Sequence, residues 1–81
     1  MRLLLFGQIR DGAEHLHGAE IASHARSVGE LIDWLRRGDG EFAIALDRPG
    51  LRFAVDQRFA SLETIIGPES EVAVMSPLSG G

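Results

Sequence analysis

The chain has 81 residues, twelve acidic and eight basic, a formal net charge of −4 and no cysteine; with 44% hydrophobic and 25% charged residues it has the proportions of one small globular domain. The missing cysteine excludes a disulfide framework, a thiolate nucleophile and a Cys-based zinc site, and because all eight basic residues are arginine a Schiff-base or P-loop lysine is excluded too. A domain of this size buries only roughly 60–65% of its unfolded surface, which leaves room for one modest core and none for a deep enclosed active site.

Residues 2–9, Arg-Leu-Leu-Leu-Phe-Gly-Gln-Ile, are short and apolar and read as an opening strand. Arg10 to Gly18 is polar with two glycines, a turn or loop. Glu20 to Ala25 reads as a weaker second strand, with Ile21 its one large apolar residue. Ser27-Val28-Gly29-Glu30 then has the S-x-x-E spacing of a capping box, in which Ser27 accepts from the amide three residues on and Glu30 reaches back. Glu30 also suits the positive end of the helix dipole. Val28, Leu31, Ile32 and Leu35 follow at i, i+3, i+4 and i+7, one apolar helical face. Arg36 and Arg37 fall in the last turn and Gly38 in a natural C′ position.

Glu41 to Leu46 is expected to make one or two helical turns, and Asp47-Arg48-Pro49-Gly50 a turn. Leu51 to Asp56 reads as a strand with large apolar residues at 51, 53 and 55, continuing around a tight bend to Ala60. Gly67-Pro68-Glu69-Ser70 is a further turn, Glu71 to Met75 a last strand, and Ser76-Pro77-Leu78-Ser79-Gly80-Gly81 a tail with little to bury. One helix across one face of a mixed sheet of four to five strands is the economical architecture, an α+β domain over residues 1–76 with a flexible tail at 77–81.

Few residues offer chemistry. His15-Leu16-His17 presents two imidazoles without a third ligand at metal spacing, so both read as exposed loop histidines, and His24 as a surface residue. Acidic residues are scattered singly, and no serine has the context of a nucleophile elbow. Gly38-Asp39-Gly40 lacks phosphate-loop spacing, and Trp34 reads as helix packing. The acidic balance without a basic cluster argues against a nucleic-acid partner. The opening apolar run is too short for a signal peptide, and no stretch approaches the ~20 residues of a membrane span; a cytoplasmic protein is expected. No metal site and no bound cofactor are expected.

The tail has a distinct physical property. Gly80 and Gly81 carry no Cβ, so they form a narrow leash able to thread a tight channel in a partner, and the acyl carbon of Gly81 is unhindered once activated. Pro77 fixes φ and biases Ser76 to extended geometry, directing the leash away from the sheet.

The ending from Glu71 to Gly81 resembles the terminus of the small, sulfur-carrying subunit of molybdopterin synthase, in the ubiquitin-like β-grasp superfamily. Leu5-Phe6-Gly7-Gln8-Ile9-Arg10-Asp11 resembles that family's first strand and Val55-Asp56-Gln57 its central strand. The resemblance covers essentially the whole chain. Ser76 departs from it, standing where the first proline of a Pro-Pro pair is common, and Asp56 stands where asparagine is usual. The resemblance implies a ubiquitin-like β-grasp fold. It also implies an ATP-using, ubiquitin-activating-like adenylyltransferase that adenylates Gly81, after which sulfur replaces oxygen to give a thiocarboxylate. Pro77, Leu78, Ser79 and Gly80 would carry this terminus into the large synthase subunit, where sulfur passes to cyclic pyranopterin monophosphate. The chain would then be the non-catalytic, sulfur-donating member of a hetero-oligomeric sulfurtransferase, and ATP would be used by the activating partner.

If Leu3 and Leu5 face the helix, period-two alternation turns Leu4 and Phe6 to the opposite face; likewise Val72 and Val74 point in, Ala73 and Met75 out. Phe59 could join Phe6 and Met75 in an exposed apolar patch beside the tail, the alternative being that Phe6 and Phe59 belong to the core. Positions resembling these three line the subunit interface in the family. Rival readings are a sulfur carrier for thiamine-thiazole or cysteine synthesis, a ubiquitin-like modifier, and a non-covalent β-grasp binding module. A self-contained enzyme comes last.

Overall fold

The run Arg2–Phe6 forms β1 in a computed structural model of the chain, which describes residues 1–38 and 40–77. Gly7 ends the strand. It takes a φ of +81°, a region open to glycine at little cost, and the chain coils into a 3₁₀ turn over Gly7–Arg10 instead of extending to residue 9. After a second 3₁₀ turn, Glu14–Leu16, β2 is confined to Ala19–Glu20, antiparallel to Arg2 and Leu3 of β1. The expected strand to Ala25 is thus much shorter: beyond Ile21, which turns into the core, no large apolar side chain anchors it.

Helix α1, Val28–Arg36, follows the capping box. All three amides of its first turn are satisfied: Val28 donates to the Thr64 carbonyl at 3.0 Å, Gly29 to the Leu62 carbonyl at 2.8 Å, and Glu30 to Ser27 Oγ at 3.2 Å. Glu30 Oε1 accepts from the Arg26 amide at 3.1 Å, one residue before the expected position. A Cβ on Gly29 would come within 3.1 Å of the Leu62 carbonyl oxygen, so this close approach of the 61–70 segment fits glycine alone without adjustment. At the other end Gly38 does not adopt the left-handed cap. The last turn tightens instead, Arg37 donating to the Trp34 carbonyl and Gly38 to that of Leu35.

The second helix, α2, spans Glu41–Ala45. Arg36 joins the two helical segments, with Nε 3.0 Å from Asp47 and Nη1 3.3 Å from Asp33. Strands β3, Arg52–Val55, and β4, Arg58–Ala60, form a hairpin closed by Asp56 and Gln57, both left-handed at φ +50° and +70°, the geometry of a two-residue primed turn. The last strand, β5, covers Glu71–Met75.

The five strands lie in the order β2-β1-β5-β3-β4. β5 is central, parallel to β1 and antiparallel to β3. Leu3, Leu5, Val72 and Val74 point to one face and are wholly buried with Val28 and Leu31; Ile32, Leu35, Leu46 and Ile66 belong to the same core. A five-strand mixed sheet under one main helix is the expected ubiquitin-like β-grasp architecture. No helix of the described residues is long and apolar enough to cross a membrane.

Candidate partner-docking face and tail root

Side chains alternate along each strand, so the register of the sheet dictates what the helix-free face presents. Leu4 of β1 stands beside Ala73 of β5, Ala73 beside Ala54 of β3, and Ala54 beside Phe59 of β4. One step nearer the end of β5, Phe6 stands beside Met75, and Met75 beside Arg52. Leu4, Phe6, Ala54, Phe59, Ala73 and Met75 border a shallow groove of about 340 Å³, with Gln57 and Glu71 at its far rim. Phe59 is 80% and Phe6 45% exposed, while Met75 is half-buried. Neither phenylalanine is core, since among the described residues no helix or loop covers this face.

His17 is not the free loop residue that its neighbourhood suggested. Because β2 stops after two residues, the Leu5 amide has no strand partner, and His17 Nδ1 accepts it at 3.0 Å. The ring then meets Phe6 edge-on, with centroids 5.5 Å apart, and so holds that side chain at the margin of the face. No local pattern announces this contact; it exists because one strand is short. Trp34, expected as packing, is 41% exposed, since the apolar arc of α1 formed by Val28, Leu31, Ile32 and Leu35 leaves it outside.

The root of the tail is fixed by the strand order. Since β5 runs parallel to β1, it ends beside Phe6, and the chain leaves the sheet at the margin of the apolar face. The Ser76 amide donates to the Phe6 carbonyl at 3.0 Å, and Ser76 Oγ accepts from the Ile9 amide at 2.6 Å. Pro77 is exposed and lies over Gly50, where a Cβ would come within 3.2 Å of its Cγ. Leu78, Ser79, Gly80 and Gly81 lie outside the described residues, as does Asp39.

Elsewhere the described residues offer little chemistry. A wider cleft of about 660 Å³ lies between the first 3₁₀ turns and the α1–α2 junction, lined by side chains that include His15, Trp34, Arg37 and Phe42. Among the described residues no three His, Asp or Glu side chains converge as metal ligands. Glu14 is held below the ordinary glutamate range by hydrogen bonds from its own backbone amide and that of Gly12, but it is solvent-exposed. The hydroxyls of Ser27, Ser70 and Ser76 accept from backbone amides. What this geometry can do is bind through a flat apolar face and present whatever follows Pro77 to the protein bound there.

Residues 3–81 match the ThiS family. The chain belongs to that family of ubiquitin-like sulfur carriers. The match takes in all but the first two residues and includes the Gly80-Gly81 pair. No curated protein matches the sequence. ThiS-family carriers generally work with partner enzymes, and an apolar face beside the departing chain is a surface suited to such a partner.

Proposed function

We propose that this ThiS-family chain is the sulfur-carrying small subunit of a molybdopterin synthase. The observation that carries the reading is the juxtaposition of Phe6 and Met75, at the margin of the open apolar face, with the root of a chain that continues to Gly80-Gly81. The pathway assignment rests on the resemblance of the segments around Phe6 and after Glu71 to that subunit.

On this reading the Gly81 carboxylate attacks ATP in a ubiquitin-activating-like adenylyltransferase, releasing pyrophosphate and leaving a glycyl adenylate. A sulfide-level donor attacks the acyl carbon, AMP departs, and Gly81 ends as a thiocarboxylate. Phe6, Phe59 and Met75 dock the large subunit while Pro77, Leu78, Ser79 and Gly80 enter it. There the thiocarboxylate sulfur bonds to a carbon of cyclic pyranopterin monophosphate, and water then cleaves the acyl–sulfur bond, which leaves the sulfur on the pterin and returns Gly81 to a carboxylate. The β-grasp domain at 1–76 and the tail at 77–81 thus divide the work of binding and delivery. The chemistry requires no thiol on this chain, because the sulfur rides on the backbone terminus.

Intact-mass measurement after incubation with ATP, the adenylyltransferase and sulfide tests the reading: one oxygen should be exchanged for sulfur, confined to Gly81. An unchanged mass refutes it. The ThiS match also favours a second reading, delivery to a thiazole synthase of thiamine formation. Co-purification with a pterin-binding large subunit or with a thiazole synthase separates the two.

A further inference from the structure

Ser76 stands where the resemblance leads one to expect proline, and its two hydrogen bonds are ones that proline could not make. A proline has no amide to donate to the Phe6 carbonyl and no hydroxyl to accept from Ile9. The second bond spans 67 positions of sequence and closes on the 3₁₀ turn at Gly7–Arg10, whose own N-cap residue, Phe6, supplies no side-chain acceptor. Ser76 Oγ therefore caps that turn from the neighbouring strand. Gly7 makes the approach possible, since a Cβ there would lie 3.1 Å from Ser76 Cβ. The two bonds bracket the serine from both sides of Gly7, so residue 76 continues the line of β5 past Phe6.

We propose that Ser76 is a positioning residue for the tail: its clasp on Phe6 and Ile9 sets the direction in which the leash leaves the docking face. The proposal rests on the carrier reading above. Five residues, Pro77 to Gly81, follow the clasp; fully extended, five residues reach about 17 Å at most. With so short a leash, the heading at its root decides which part of a bound partner Gly81 can meet. Pro77, with φ fixed, transmits that heading to the residues after it. A carrier without the clasp still docks through Phe6, Phe59 and Met75, but its terminus is aimed less often at the reacting centre. The loss belongs in kcat, not in KM, because the groups that bind are untouched.

The test compares Ser76→Thr, which keeps the hydroxyl, with Ser76→Val, its near-isostere without one, both in the full chain. The Ile9 amide should exchange faster in Ser76→Val and stay protected in Ser76→Thr, with circular dichroism confirming the fold of each. Pyrophosphate release by the adenylyltransferase, with ATP and varied carrier, then gives KM and kcat. Ser76→Thr should behave as the unaltered chain, while Ser76→Val should keep KM within about twofold and lose about fivefold or more in kcat, as a misaimed reacting group does. Ser76→Ala, which adds no methyl, should repeat the Val result. Unchanged kcat in Val and Ala, with Ile9 deprotected, overturns the proposal. A rise in KM with kcat unchanged also overturns it, by making Ser76 part of the docking contact. An unaltered chain that is not adenylated at all refutes the carrier reading instead, and the proposal falls with it.

Discussion

Asp56 and Gln57 show how one turn shapes the edge of the open apolar face at the scale of single residues. Both sit at positive φ, and a left-handed conformation costs a non-glycine residue about 1–2 kcal/mol. Asp56 recovers part of this: its amide donates to the Glu71 carbonyl at 2.9 Å, and its Oδ1 accepts from the Glu71 amide at 3.0 Å. An aspartate therefore serves where asparagine is usual, the acceptor oxygen being common to both. Gln57 makes no such bond among the described residues. Gln57→Gly should therefore stabilise the protein by about 0.5–1 kcal/mol, after the backbone entropy that glycine loses on folding is deducted. Urea unfolding at constant m value is the measurement.

The carboxylate of Glu14 permits a prediction about pH. Its folded pKa lies below the ordinary value because backbone amides, its own and that of Gly12, stabilise the charged form. A depressed carboxylate pKa contributes stability that is present above the unfolded value and is lost as pH falls through the folded one. Carbon-detected NMR should give Glu14 a midpoint below that of an unstructured glutamate, and Glu14→Gln should remove this contribution to the acid limb of the unfolding curve. A midpoint at or above the unstructured value would contradict the assigned hydrogen bonds.

The elements differ in how locally they are specified. Helix α1 carries its signals in one short window: Ser27 and Glu30 cap it, and Val28, Leu31, Ile32 and Leu35 give it one apolar face. The strand at Glu71–Met75 is also legible, since turn residues precede it and its valines alternate. β1 and β2 were less legible at their far ends. The apolar run from Arg2 predicts a strand reaching Ile9, but Gly7 at positive φ and a bond from the Ile9 amide to Ser76 bend Gly7–Arg10 into a 3₁₀ turn. Helix and sheet meet at Leu31, which is wholly buried. Leu31→Ala should cost about 2–5 kcal/mol. Against a total of about 4–12 kcal/mol for a domain of this length, a thermal melt should show the variant near or past the limit of folding at 37 °C. A loss under about 1 kcal/mol would mean that the helix is not seated as described.

For the whole molecule the consequence is a division between a buried face that makes the fold and an open face that remains to be covered. Phe59 belongs to the open face and is 80% exposed. Its truncation should leave stability within about 0.5 kcal/mol, as is usual for surface positions. On the proposed function, partner binding should fall at least about fivefold, since an aromatic anchor in an interface is worth more than about 1 kcal/mol. Calorimetric titration of Phe59→Ala against the large subunit of the proposed synthase, beside a thermal melt of the carrier alone, separates the two effects. Unchanged affinity would remove Phe59 from the docking surface.

What the sequence determined by itself was whatever depends on neighbours a few positions apart: the helix and its N-terminal cap, the hairpin near residue 56, the last strand and the glycine pair at 80 and 81. Alternation along β1 and β5 even assigned Leu3, Leu5, Val72 and Val74 to the core and Phe6 to the opposite side. Tertiary structure decided how these faces were combined. The parallel pairing of β1 with β5 placed Phe6 beside Met75 and the start of the tail, and the shortness of β2 gave His17 its place against Leu5 and Phe6. The clasp between Ile9 and Ser76 joins residues 67 positions apart. Periodicity is a property of one segment and carries no record of which strand will lie beside it. Register and strand order come from burying several segments at once, and it is register that brings the apolar face to the root of the tail.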